Sequence, residues 1–210
     1  MSSVSRQVVA HAPPLTRKGT ETRQTLLDSA ISLIASTGYA ATTTQAILDH
    51  CGLSRGSLLH QFKTRDLLMV ATALEAVDRM FTSVQQGLAS ATGPIEALRE
   101  YPLLLWRVLN EPPAQAFAEL QLASRWEEGL KTALQPVVEQ INERIVREIH
   151  QIAQENGLRN AKQLIAEVGA LISAMQGLAV SSSLITDVEK IEAILEALRG
   201  HYQDCLEASL

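Results

Sequence analysis

The chain has 210 residues, 46% hydrophobic and 20% charged, which is enough to bury a sizeable core and excludes a low-complexity or disordered polymer. Its net charge of −5 is unevenly spread: residues 1–65 carry +4 and residues 66–210 carry −9. A basic head on an acidic body fits a polyanion-binding module joined to a part that repels polyanions.

Cys51 and Cys205 are the only cysteines and show no Cys-x-x-Cys spacing, so neither a disulfide framework nor a zinc site is expected, and a reducing compartment is the simple reading. The N-terminus has no apolar signal core. The longest apolar stretch, residues 164–180, is interrupted by Glu167 and Gln176, so no membrane span is expected and the chain reads as cytoplasmic.

Residues 1–18 combine Ser, Pro13-Pro14 and the basic Arg6, Arg17 and Lys18 with too little periodic apolar character to fold alone, which predicts a flexible basic arm. A helical pattern begins at Thr20, with Leu26, Leu27, Ala30, Ile31 and Ile34 on one face, and Gly38 ends it. Thr43 is placed to cap a second helix that turns Ile47 and Leu48 inward. Gly52, Leu53 and Ser54 form a tight turn and cap a third helix that runs through Phe62. Residues 42–62 therefore have a helix-turn-helix outline.

Thr64 and Asp66 mark the start of a long helix whose Leu67, Ala71, Leu74, Val77, Phe81, Val84 and Leu88 form one stripe. Gly93-Pro94 breaks the chain, and a helix over residues 95–109 is expected to bend at Pro102. Helices over 114–124 and 127–155 follow. The second keeps Leu130, Leu134, Val138, Ile141, Ile145, Ile149 and Ile152 in register despite Pro136, and Asn156-Gly157 closes it. Helices over 161–183, capped by Asn160, and 188–207, capped by Asp187, complete an all-α chain of about nine helices without repeats.

The landmarks Arg23, Leu26-Leu27, Ala30, Gly38-Tyr39, Thr42-Thr43, Ile47, Gly52-Leu53-Ser54, Gly56, Leu58, Phe62, Arg65 and Leu67 together resemble the N-terminal domain of the TetR family of transcriptional regulators. The match covers roughly residues 20–70 without gaps. It implies a one-component homodimeric repressor: a three-helix DNA-binding head (19–79) and a helical body (80–210) that dimerises through its last two long helices and holds an effector cavity. Two positions depart from the family pattern. Leu59 and Gln61 stand where members carry Tyr and His, both common phosphate contacts.

The head residues read independently of that resemblance. Thr43 either anchors a phosphate at a helix N-terminus or only caps, and Thr44 and Gln45 lie on the same turn; Gln45 suits an adenine edge or is simply solvated. In the third helix Ser54, Arg55, Ser57 and His60 are polar. Arg55 matches guanine O6 and N7 bidentately or contacts phosphate, and His60 touches phosphate or solvent. Lys63 and Arg65 add backbone contacts, and the arm either reaches an adjacent minor groove or is an unstructured tail.

In the body, Gly169, Ser173, Gly177 and Ser181 recur every four residues, flanked by Ala166, Ala170 and Ala174. Small residues at this spacing let another helix come close, so they are expected to form a two-fold interface with Ile194, Leu198 and Tyr202 or, alternatively, a tight contact within the chain. Trp106, Phe117, Gln121, Trp126 and Met175 are candidates to line a cavity for a small, mainly apolar effector. The five histidines show no metal spacing, and no nucleophile elbow or Gly-rich phosphate loop occurs, so no enzyme, cofactor or metal is expected. The reading is a ligand-responsive dimeric repressor whose partners are double-stranded DNA, an effector and a second copy. Its rival is a helical dimeric interaction protein with a weakened head.

Overall fold

A computed structural model describes residues 16–210, so residues 1–15 of the expected arm lie outside the described residues. The rest of that arm is ordered: the Thr16 side chain accepts from the Gly19 N–H at 3.2 Å and starts helix α1 at Arg17, three residues before the expected onset. Nine helices occur among the described residues, and no strand.

By internal contacts the chain divides into two units. One comprises Met1–Arg79 with Pro112–Gln140, the other Met80–Glu111 with Ile141–Leu210. The expected head ended at the same residue, 79, but the first unit also takes in a later segment of the chain.

In the first unit α1 (Arg17–Thr37) buries Leu26, Leu27, Ala30, Ile31 and Ile34, as its periodicity predicts. It packs most extensively on α6 (Pro112–Ala123), whose Ala114, Ala116, Phe117 and Leu120 are buried, which explains why that segment belongs here. Proline is tolerated in the first turn of a helix, so α6 begins at Pro112, earlier than expected.

Helix α2 (Thr44–Cys51) and helix α3 (Arg55–Gln61) are joined by the expected turn. Gly52 sits at φ +68°, the left-handed region, and its N–H donates to the Leu48 carbonyl at 2.8 Å. Phe62 is extended and ends α3, and its ring is buried.

Helix α4 (Arg65–Leu88) departs from its predicted stripe in its first turns. Leu67 is exposed, whereas every residue from Leu68 to Ala73 is buried, and Ala76 also. Only this first part of the helix is enclosed on several sides; further along, the expected stripe holds, with Ala71 buried and Leu74, Val77, Phe81, Val84 and Leu88 half-buried. Arg79 locks α4 to α1 by bonding Asp28, and it also bonds Glu75 at 2.9 Å.

In the second unit α5 (Pro94–Leu109) continues through Pro102 and packs on α8 (Ala161–Ser182) and α9 (Val188–Glu207). Leu98, Leu105, Val108, Leu164, Val168, Leu171, Met175 and Leu206 form its core. Burying one such side chain contributes roughly 1.5–3 kcal/mol.

Two cap expectations divide here. Asp187 caps α9, accepting from the Lys190 N–H at 3.2 Å. Asn160 does not cap with its side chain: at φ +57° it offers its carbonyl to the Gln163 and Leu164 N–H groups. Helix α7 (Glu128–Glu155) buries Leu130, Leu134 and Val137 in the first unit and Ile149 and Ala153 in the second. Both α4 and α7 thus run from one unit into the other.

Candidate nucleic-acid interface

The caps decide what the short helices α2 and α3 can present. The Thr43 hydroxyl accepts from the Ala46 N–H at 3.0 Å, which leaves its own proton free to donate outward. Capping and phosphate contact are therefore compatible. Ser54 accepts from the Ser57 N–H at 3.1 Å, and the two hydroxyls lie 2.9 Å apart, so both are held at the start of α3.

Of the remaining head residues singled out in the sequence, Arg55, His60 and Lys63 are exposed beside the capped turns. Thr44 is half-buried. Gln45 is exposed, but its amide donates to Asp49 at 2.7 Å, which leaves the side-chain carbonyl available. Leu58 is buried and fixes the inner face of α3, while Leu59 is 50% exposed on the outer one.

Arg65 is a correction. It was expected to contact phosphate, yet its guanidinium stacks on the Tyr39 ring at 4.3 Å, bonds the Tyr39 hydroxyl and lies 3.8 Å from Glu127. It also donates to the Tyr39 and Thr42 carbonyls at 3.5 Å, so its charge and donors are used within the unit. The Tyr39 hydroxyl donates to Glu127 at 2.6 Å, and its N–H to Glu119 at 3.2 Å. Burial, then donation to Glu127, raises the Tyr39 phenol above its ordinary value and keeps it neutral. This cluster ties the link before α2 to α6 and to the residue preceding α7. Sequence reasoning missed it because its partners are up to 88 positions apart.

Gln61 also turns inward, donating to the Gly19 carbonyl at 3.1 Å. Between the first turn of α1 and α3 lies an open groove of about 370 Å³ lined by Lys18, Thr22, Gly56, Ser57, His60 and Gln61, among others. Behind it, Arg23 stacks on Phe62 at 4.4 Å, and burial pulls its pKa below the usual value against the opposing effect of Glu75.

The expected cavity residues fall in different places. Phe117, Gln121 and Trp126 belong to the first unit, Trp106 and Met175 to the second. Phe117 and Met175 are core residues. Trp126 is 85% exposed, because the turn after α6 carries it off the buried helix faces.

Among the expected interface residues, Gly169, Ser173, Gly177 and Ser181 share the exposed face of α8, and Ile194 and Leu198 are half-buried on α9. Tyr202 is a second correction. It is 1% exposed, a core residue with its ring 6.5 Å from that of Tyr101.

A family model described as bacterial regulatory proteins, tetR family, matches residues 26–72, which span α1, α2 and α3 and the start of α4. Over this stretch the chain is similar to the N-terminal domain of the TetR family of transcriptional regulators. An HTH-type transcriptional repressor of Mycolicibacterium smegmatis is 34% identical over 87 residues, 41% of this chain and 42% of that protein. An uncharacterized HTH-type transcriptional regulator of Mycobacterium bovis is 30% identical over 125 residues, 60% of this chain and 64% of that protein. The chain thus spans less than two thirds of these curated relatives.

The TetR fold extends further than the sequence match. A putative TetR-family regulator from a Rhodococcus species superposes with a TM-score of 0.72 at 20% identity, covering 89% of this chain and 99% of that one. A TetR regulator from Chloroflexus aurantiacus gives 0.72 at 19% identity, covering 90% and 97%.

Proposed function

We propose that this protein is a TetR-family regulator that binds double-stranded DNA through α2 and α3 and acts as a homodimeric, ligand-responsive repressor in the cytoplasm. The observation that carries the reading is the α3 surface: Arg55, Ser57 and His60 stand on a helix whose N-cap and buried Leu58 fix its orientation, beside the exposed Lys63. A rigid, polar, positively charged helix face of this size fits a major groove. Thr43 and Lys63 then hold phosphates, and Arg55 reads a base edge.

Dimerisation is supported by glycine geometry. A Cβ built on Gly169 or Gly177 meets nothing within 4 Å, so these glycines have no packing reason within their own chain. In a helix interior glycine costs about 0.5–1 kcal/mol against alanine, and close approach of a second α8 explains retaining it. Two heads then address a pseudo-palindromic site. An apolar effector held by the body shifts the head spacing through α4, which is continuous between the units, and lowers affinity.

The test is anisotropy of a labelled random-sequence duplex at low and rising salt, followed by selection from a random DNA pool. Affinity should fall steeply with salt as counterions are released. Arg55→Ala should cost about 1–3 kcal/mol on the selected site and relax one base position. Uniform loss on all sequences would make Arg55 a phosphate contact.

The second reading, an interaction protein with a weakened head, is favoured by Leu59, exposed where a phenolic donor would serve, and by Gln61, bonded inward. No binding to any duplex at low salt would establish it.

A further inference from the structure

Outside the head, three side chains of metal-ligating type converge in the second unit. His201 and Cys205 stand one helical turn apart on α9, on the same face by the i, i+4 rule, and Glu167 reaches toward them from α8. One ligand atom from each lies within 4.8 Å of the others, and His201 Nε2 is 3.2 Å from Glu167 Oε2. Glu167 and Cys205 are half-buried, while the His201 imidazole is exposed.

The geometry points to a transition-metal site formed by Glu167, His201 and Cys205, with Zn²⁺ as its ligand. Thiolate, imidazole and carboxylate together are a borderline-soft donor set that suits Zn²⁺ and disfavours Mg²⁺ or Ca²⁺, which take oxygen ligands. Zinc–ligand bonds of about 2.0–2.3 Å set tetrahedral donors about 3.3–3.8 Å apart, so side-chain rotation of an ångström closes the present triangle. Three protein ligands leave the fourth position to water. On binding, the Cys205 thiol gives its proton to solvent and the ion joins α8 to α9.

The cysteine spacing conceals this site: zinc was not expected because Cys51 and Cys205 form no pair. The relevant signal is a His-x-x-x-Cys step on one helix, which needs a carboxylate from another helix that only the fold supplies.

The full-length protein, stripped with a chelator and kept reduced, is titrated with Co²⁺ as an optical probe and then with Zn²⁺. The site predicts one ion per chain, a thiolate-to-cobalt absorption band in the near ultraviolet, displacement of Co²⁺ by Zn²⁺, and a thermal midpoint that rises with zinc. Cys205→Ser should abolish the band, and His201→Ala and Glu167→Gln should each weaken affinity by about tenfold or more. Cys51→Ser should retain the band and the affinity. Circular dichroism verifies that each variant folds, and the near-isosteric Glu167→Gln stands in where His201→Ala does not. The inference is overturned if the wild-type protein gives no cobalt–thiolate band, if the band follows Cys51, or if both Glu167→Gln and His201→Ala bind metal like the wild type.

Discussion

Helices α3 and α8 each leave one face uncovered by their own unit, and the two faces differ in chemistry. On α3 the exposed residues are Arg55, Gly56, Leu59 and His60, on a helix of seven residues capped at Ser54. On α8 they include Ala166, Gly169, Ala170, Ser173, Ala174, Gly177, Val180 and Ser181, on a helix of 22. The first suits a hydrated polyanion. The second is apolar but made of small residues, so it suits a surface that can come very close.

By length and composition alone α8 is long and apolar enough to cross a membrane. The sorting of its side chains argues for a partner helix instead. Leu164, Val168, Leu171, Met175 and Leu178 face the unit, while apart from Val180 the exposed residues named above are all small. Lipid would not demand that segregation, but a second helix would.

The largest expected effect is therefore on the α8 face. Gly177→Leu adds a side chain where nothing lies within 4 Å, so the folded chain should keep its helicity, while close approach of a second copy becomes impossible. Light scattering should show the mass halving from dimer to monomer. A dimer that survives would move the interface elsewhere.

A pair of alanine substitutions sharpens the comparison. Neither Gly52 nor Gly177 has an atom within 4 Å of a built Cβ, yet only Gly52 has a positive φ. Gly52→Ala should destabilise by about 1–2 kcal/mol, because left-handed backbone disfavours a Cβ. Gly177→Ala should raise intrinsic helix stability by about 0.5–1 kcal/mol, measured on the monomeric chain in denaturant. Equal effects at the two positions would show that backbone conformation is not what separates them.

How far the sequence discloses each feature follows from the distance over which its cause acts. The caps at Thr43, Ser54 and Asp187 and the turn at Gly52 each depend on partners three or four positions away, and all four are found as expected. The stripe on α4 failed at Leu67 because the first part of that helix is enclosed, and Tyr202 was misplaced because periodicity finds the apolar faces of α9 without saying which one meets its own unit. Arg65 was assigned to DNA, and the inward bond of Gln61 was not foreseen, because their partners, Glu127 and the Gly19 carbonyl, are remote in sequence. In each of these failures the missing information is tertiary.

The smallest expected effect bears on the other half of the comparison, the α3 face. Leu59 is half exposed on it, so a phenol at this position would stand in solvent on the side that carries Arg55 and His60. Leu59→Tyr should leave stability nearly unchanged, since substitutions at exposed sites usually alter it by less than about 0.5 kcal/mol. It should also tighten binding to the selected duplex by about 0.5–1.5 kcal/mol, the net value of one added hydrogen bond, without changing the preferred sequence, because a phosphate contact reads no base. A gain confined to particular sequences would place Leu59 over base edges. The exposed leucine would then be a specificity element, one that makes apolar contact with a thymine methyl, rather than a missing phosphate donor.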